Sequence, residues 1–161
     1  MIKVEIVVTN RRNIIELSKI INSPCAIISI SGSNEPMPDI IKNPFILHLL
    51  ELHFDDVEED WHNEKAMTFE DAENIVNFVK QLNDVDTLYV HCGAGISRSA
   101  GVAAAISKAL TGDDTYFFER PFCPNMNCYK LTLRAFGLDV TPMELIRLDN
   151  KINGGIRKEL E

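Results

Sequence analysis

Reactive chemistry is concentrated in one stretch of the chain, Val90-His91-Cys92-Gly93-Ala94-Gly95-Ile96-Ser97-Arg98-Ser99-Ala100-Gly101. Within it, a thiol, a nearly bare backbone and a guanidinium lie close together. Glycines at 93 and 95 let the chain take positive φ and turn successive N–H groups to one side, which makes an anion nest. Arg98 adds a planar, permanent cation whose fork matches two oxygens of a phosphate. A thiol in such a field ionises below its ordinary value of about 8.5. Seated beneath a tetrahedral oxyanion, the thiolate of Cys92 is a nucleophile aimed at phosphorus, and attack leaves a phosphocysteine. Ser99 offers a hydroxyl that can donate to the sulfur as it departs. His91 reads as a support for the loop through hydrogen bonds rather than as a proton shuttle. Gly93, Ala94, Gly95, Ile96, Ser97 and Arg98 form the expected phosphate-binding set.

Such a loop has to be presented by a strand on one side and a helix on the other. The pattern predicts a short apolar strand over 87–90, running directly into His91 and Cys92. It predicts an alanine-rich helix over 97–110, stopped by Thr111-Gly112. The unpaired N–H groups and positive dipole end of that helix point into the loop. Upstream, β-branched and apolar runs predict strands over 3–9, 25–30 and 45–54. A helix capped by Asn10 follows the first strand, with Ile14, Ile15, Leu17, Ile20 and Ile21 at helical spacing. Thr68 caps another helix, expected to bury Phe69, Ala72, Ile75, Val76, Phe78, Val79 and Leu82. Two last helices are expected over 125–136 and 141–153, the second opened by Thr141-Pro142. Strands alternating with helices imply an α/β domain with a largely parallel central sheet. In such sheets ligands gather at the carboxyl ends of the strands, which is where Cys92 falls.

The stretch HCGAGISRS resembles the His-Cys-x-x-Gly-x-x-Arg-Ser/Thr signature of the cysteine-dependent protein tyrosine phosphatases. Its AGISRSAG ending is most similar to the compact dual-specificity branch, of prokaryotic type. The resemblance implies a metal-independent phosphomonoester hydrolase that needs no cofactor. It also implies a general acid, an aspartate on a loop after a strand well upstream of the cysteine. The alternation Leu52, Phe54, Asp56 matches that pattern, so Asp56 is the first choice, Asp55 the second and Asp60 the third. As bare composition, the run Asp55-Asp56-Val57-Glu58-Glu59-Asp60 is a solvated turn. Arg120-Pro121 and Pro124-Asn125 resemble a segment of compact bacterial phosphatases in which Pro-Asn opens a helix near the loop. Asn125 is there a support for the phosphate loop, a residue that positions water, or a helix cap. The long substrate loop of larger tyrosine phosphatases has no counterpart, so strict phosphotyrosine preference is not implied.

At 161 residues the chain suits one domain, with the last residues, about 154–161, expected to fray. A formal net charge of −8 argues against nucleic acid or an anionic membrane as the main partner, though not against an anionic substrate. Lys3 and Glu5 interrupt the N-terminal apolar run, so no signal peptide is expected, and no stretch has the length of a membrane span. Four cysteines are too few for a disulfide scaffold, which points to a reducing cytoplasm. Cys123 and Cys128 lack a second metal-ligand pair and are not read as a zinc site, nor are His53 and His62. The expected partner is a phosphorylated protein or a small phosphomonoester. The alternatives are a phosphatase of small or lipid phosphates, a catalytically weak phosphopeptide-binding module, and a rhodanese-like sulfur transferase. Ser99 and the AGISRSAG context disfavour the last.

Overall fold

Four strands form one sheet, and every pairing in it is parallel. The computed structural model describes residues 3–141 together with 143, 144, 147, 148, 151 and 152. In chain order the elements are β1 (Glu5–Asn10), α1 (Arg11–Ser18), β2 (Cys25–Ser31), β3 (Ile46–His53), α2 (Phe69–Lys80), β4 (Thr87–Cys92), α3 (Arg98–Thr111) and α4 (Met126–Ala135). A single 3₁₀ turn at Thr115–Phe118, not expected from the pattern, joins α3 to the segment before α4.

The sheet order is β1-β4-β2-β3, so β2 and β4 are interior. Burial follows from that position. The CAIISIS run of β2 is buried at every residue, as an interior parallel strand covered on both faces must be. β3 lies at the edge, and much of its surface remains in solvent, including Leu47 and Leu49. The crossover connections place α3 against β4 and β1, and α4 against α3 and α2. Residues 99–106 of α3 are all buried, and their small side chains let the helix sit close to its neighbours. Phe54, Ile75, Val79, Leu88, Val90 and Ile106 anchor the apolar core on this side.

Local signals explain the element ends. Asn10 accepts the Asn13 amide and caps α1. Thr68 and Asp71 form a reciprocal capping box at the start of α2. Gly112 closes α3 with a left-handed φ of 81°. The first strand begins at Glu5 rather than Lys3, because pairing with β4 starts at Glu5 opposite Thr87. Phe69, expected in the core, is 43% exposed: it is the first residue of α2, where the helix has not yet packed its apolar face. Of the helix expected over 141–153, Met143, Glu144, Arg147, Leu148, Lys151 and Ile152 are helical, while the rest of it, and the tail expected to fray, lie outside the described residues. Among the described residues, no helix is long and apolar enough to cross a membrane.

Candidate active site

β4 ends on His91 and Cys92, α3 begins on Arg98, and the residues between them make a tight loop at the carboxyl edge of the sheet. The loop's carbonyls are engaged on its outside. Gly93 O accepts the Arg11 amide at 3.2 Å, Ile96 O the Cys123 amide at 3.0 Å, and Ser97 O the amides of Gly101 and Asn125 at 2.9 Å each. The amides of Ser99 and Gly95 donate to the Cys92 sulfur. Only one loop residue takes positive φ, Gly95 at 72°; neither Gly93 nor Ala94 does. A Cβ at Gly95 would also come within 2.7 Å of the Thr9 carbonyl, so both the dihedral and the contact require glycine.

Cys92 is buried, and its Sγ lies 3.1 Å from Ser99 Oγ. Burial by itself would push the thiol up. The Ser99 hydroxyl, the Ser99 and Gly95 amides and the Arg98 guanidinium outweigh it, and the group titrates below its ordinary value. The other three cysteines go the opposite way. Burial pushes Cys25 up to about 11 and Cys128 well above the usual range, and Cys123 is also raised, mainly by burial and then by Asp56. One thiol of four is prepared for ionisation.

Arg98 donates through Nη1 to the Phe54 carbonyl at 2.9 Å, which aims the guanidinium across the loop. Its Nε is buried and has no hydrogen-bond partner among the described residues. An unmatched buried donor costs on the order of 1–3 kcal/mol, which an oxyanion held by the loop would recover. His91 is fully buried. Its Nε2 meets Ser29 Oγ at 2.5 Å and its Nδ1 faces the Cys92 carbonyl at 3.3 Å. Burial, with Arg11 and Arg98 nearby, holds its pKa down to about 4, so the ring is neutral and ties β4 to β2.

The two leading acid candidates occupy different environments. Asp55 accepts the Ser33 hydroxyl at 2.5 Å, the Ser33 amide at 3.0 Å and the Lys65 amide at 2.8 Å. The Ser33 hydroxyl above all holds this carboxyl below its ordinary range, and these bonds fasten the loop after β3. Asp56 turns to the phosphate loop: its Oδ1 accepts the Ser97 hydroxyl at 2.7 Å and Asn125 Nδ2 at 3.0 Å. Asp60 is remote from this contact and accepts the Ala66 amide at 2.9 Å. His53 bonds the Gly32 carbonyl, and His62 packs against Trp61. Trp61 is 61% exposed and covers no core; it braces a small bridge with Glu64. Among the described residues, no group of three or more His, Cys, Asp or Glu is arranged to hold a metal ion.

No family model matches the chain, and no curated protein matches it in sequence. Solved structures do match. A mouse putative dual specificity phosphatase complexed with zinc tungstate aligns with a TM-score of 0.56 at 18% identity, over 89% of this chain and 86% of its own. The PTP-2 phosphatase of Cydia pomonella gives 0.55 at 18% identity, over 81% and 84%. PTPMT1 in complex with PI(5)P gives 0.54 at 14% identity, over 83% and 90%. The chain has the dual-specificity phosphatase fold. In this fold Arg98, at the end of the loop, lines a cleft of about 430 Å³. Glu35, Asp55, Asp56 and Glu64 line that cleft, and Arg98 is the cation among its lining residues. Glu35, which sequence reasoning did not single out, is held by Arg11 at 3.4 Å. Its signal was positional: the turn after β2 and the loop after β4 leave neighbouring strands on the same edge.

Proposed function

We propose that this protein is a cysteine-dependent phosphomonoester hydrolase acting through a phosphocysteine, on phosphotyrosine or dual-specificity protein substrates. The observation that carries the reading is the pairing of one lowered thiol, Cys92, with the unmatched buried Nε of Arg98. Cys92 attacks phosphorus while the amides of 93–98 and the Arg98 fork hold the equatorial oxygens. Asp56 gives its proton to the leaving oxygen as the P–O bond breaks, then takes one from the water that attacks the phosphocysteine. Ser99 donates to the sulfur as the S–P bond breaks. The fold's likeness to phosphatase structures supports this reading. The whole chain acts as one phosphatase domain in this account, and a thiolate that has to stay reduced suits the cytoplasm.

A second reading, hydrolysis of a lipid phosphate, draws on the likeness to PTPMT1, which was crystallised with PI(5)P. The acidic lining of the cleft favours the protein substrate, because a polyanionic headgroup would meet Glu35, Asp55 and Glu64. The test is turnover of para-nitrophenyl phosphate with a chelator present. Activity is expected to persist in chelator and to vanish in Cys92→Ser. Turnover by Cys92→Ser, or its loss on chelation in the unaltered protein, overturns the mechanism.

A further inference from the structure

Asn125 is the residue at this site with the most committed hydrogen bonds, and a helix cap needs only one of them. Its Oδ1 accepts the Cys128 amide at 3.0 Å, which caps α4. Its main-chain N–H reaches Ser97 O at 2.9 Å. Its Nδ2 donates to Asp56 Oδ1 at 3.0 Å and to the Val57 carbonyl at 3.2 Å, spending both amide hydrogens on the loop after β3. Ser97, next to Arg98, donates its hydroxyl to the same Oδ1 at 2.7 Å. It forms no side-chain cap on α3, so its hydroxyl serves Asp56 instead.

We infer that Asn125 and Ser97 form a latch that fixes which oxygen of Asp56 carries the transferable proton, and that Asn125 is a positioning residue for the acid step. The inference rests on the phosphatase reading above. Two donors converge on Oδ1, so a proton placed there would confront both; the protonated carboxyl keeps its O–H on Oδ2. In the first step Oδ2–H passes its proton to the leaving oxygen while S–P forms and P–O breaks. In the second, water attacks phosphorus, S–P breaks, and the water's proton returns to Oδ2. Throughout, Oδ1 stays bonded to Ser97 and Asn125. The latch also keeps the acid loop against the phosphate loop before substrate arrives, so no large closing movement is needed to assemble the site.

A general acid matters most when the leaving group is poor, which separates positioning from mere structure. The experiment measures kcat/KM over a series of aryl phosphates, from para-nitrophenyl to unsubstituted phenyl, for the full chain and for Asn125→Ser, Ser97→Ala, Asp56→Asn and Cys92→Ser. Serine still caps a helix, so Asn125→Ser spares α4 while losing the reach to Asp56. The rate for Asn125→Ser is expected to fall only a few-fold, about 3-fold, on the para-nitrophenyl ester and at least about 10-fold on the phenyl ester. The slope should approach that of Asp56→Asn, and Ser97→Ala should shift the same way. The rate of Cys92 alkylation by iodoacetate is expected to stay within about 2-fold, since the thiolate's own partners are untouched. A loss in Asn125→Ser that is equal across the series overturns the latch and leaves Asn125 a cap. Full turnover by Cys92→Ser overturns the phosphatase reading itself, a separate outcome.

Discussion

Buried thiols ordinarily hold their protons, as Cys25 and Cys128 do, because a low dielectric penalises the charged form. Cys92 escapes that rule through its neighbours, chiefly the Ser99 hydroxyl 3.1 Å from its sulfur. His91, one residue earlier, obeys the rule and stays neutral at the cost of an acid-sensitive fold. Its pKa is lowered from 6.5 to about 4 in the folded chain, so the unfolded chain takes up this proton first as pH falls. Stability from His91 is complete above about 6.5 and is lost progressively as pH drops toward 4, by about 3 kcal/mol in all. Denaturant unfolding across that window should show the loss, and His91→Gln should flatten it. An unchanged slope in His91→Gln would show that another group titrates there. The closeness of Cys92, Arg98 and Ser99 was legible in the sequence because they share one short loop. The alternation put Asp56 ahead of Asp55, but the bonds that set the two apart were not legible, since they run to Ser33, Ser97 and Asn125, distant in the chain.

At the scale of elements, the site depends on how closely α4 approaches α3. Gly101 lies at the contact: a Cβ there would sit 2.5 Å from the Asn125 carbonyl and 3.1 Å from Cys128 Cβ. Gly101→Ala should therefore push the start of α4 outward, costing about 1–3 kcal/mol of stability. Turnover should fall with it, because Asn125 moves away from Asp56. A melting curve and an aryl phosphate assay on the same sample check both, and a variant that keeps both at full level contradicts the packing argument. Periodicity placed most elements because β2 and α2 carry clean apolar patterns and α1 and α2 carry real caps. It misplaced Phe69, because a helix's first turn can leave its large residue in solvent. It was silent on the 3₁₀ turn at Thr115–Phe118, which has no side-chain cap to announce it.

Across the whole molecule, charge is the feature expected to select among substrates. The chain carries a net −8, and the cleft concentrates carboxylates around Arg98. The exposed loop with Glu58, Glu59 and Asp60 extends that field beside the cleft. A phosphate on a basic segment is expected to be steered in, and one on an acidic or polyphosphorylated carrier to be opposed. Matched phosphotyrosine peptides with Lys/Arg flanks should exceed those with Asp/Glu flanks by about 10-fold in kcat/KM at low salt, narrowing as ionic strength rises. Glu64→Lys should reduce the gap. Preference for acidic peptides, or for phosphoinositides over both, would reject a protein substrate of this charge.

Phosphoryl transfer to one sulfur is the central claim, and trapping the intermediate tests it most directly. The chain is mixed with an aryl phosphate, quenched with denaturant during turnover, and its proteolytic peptides are weighed. One added phosphoryl group is expected on the peptide holding Cys92, and none in Cys92→Ser. Steady turnover with the group absent, or carried on another residue, would contradict the account.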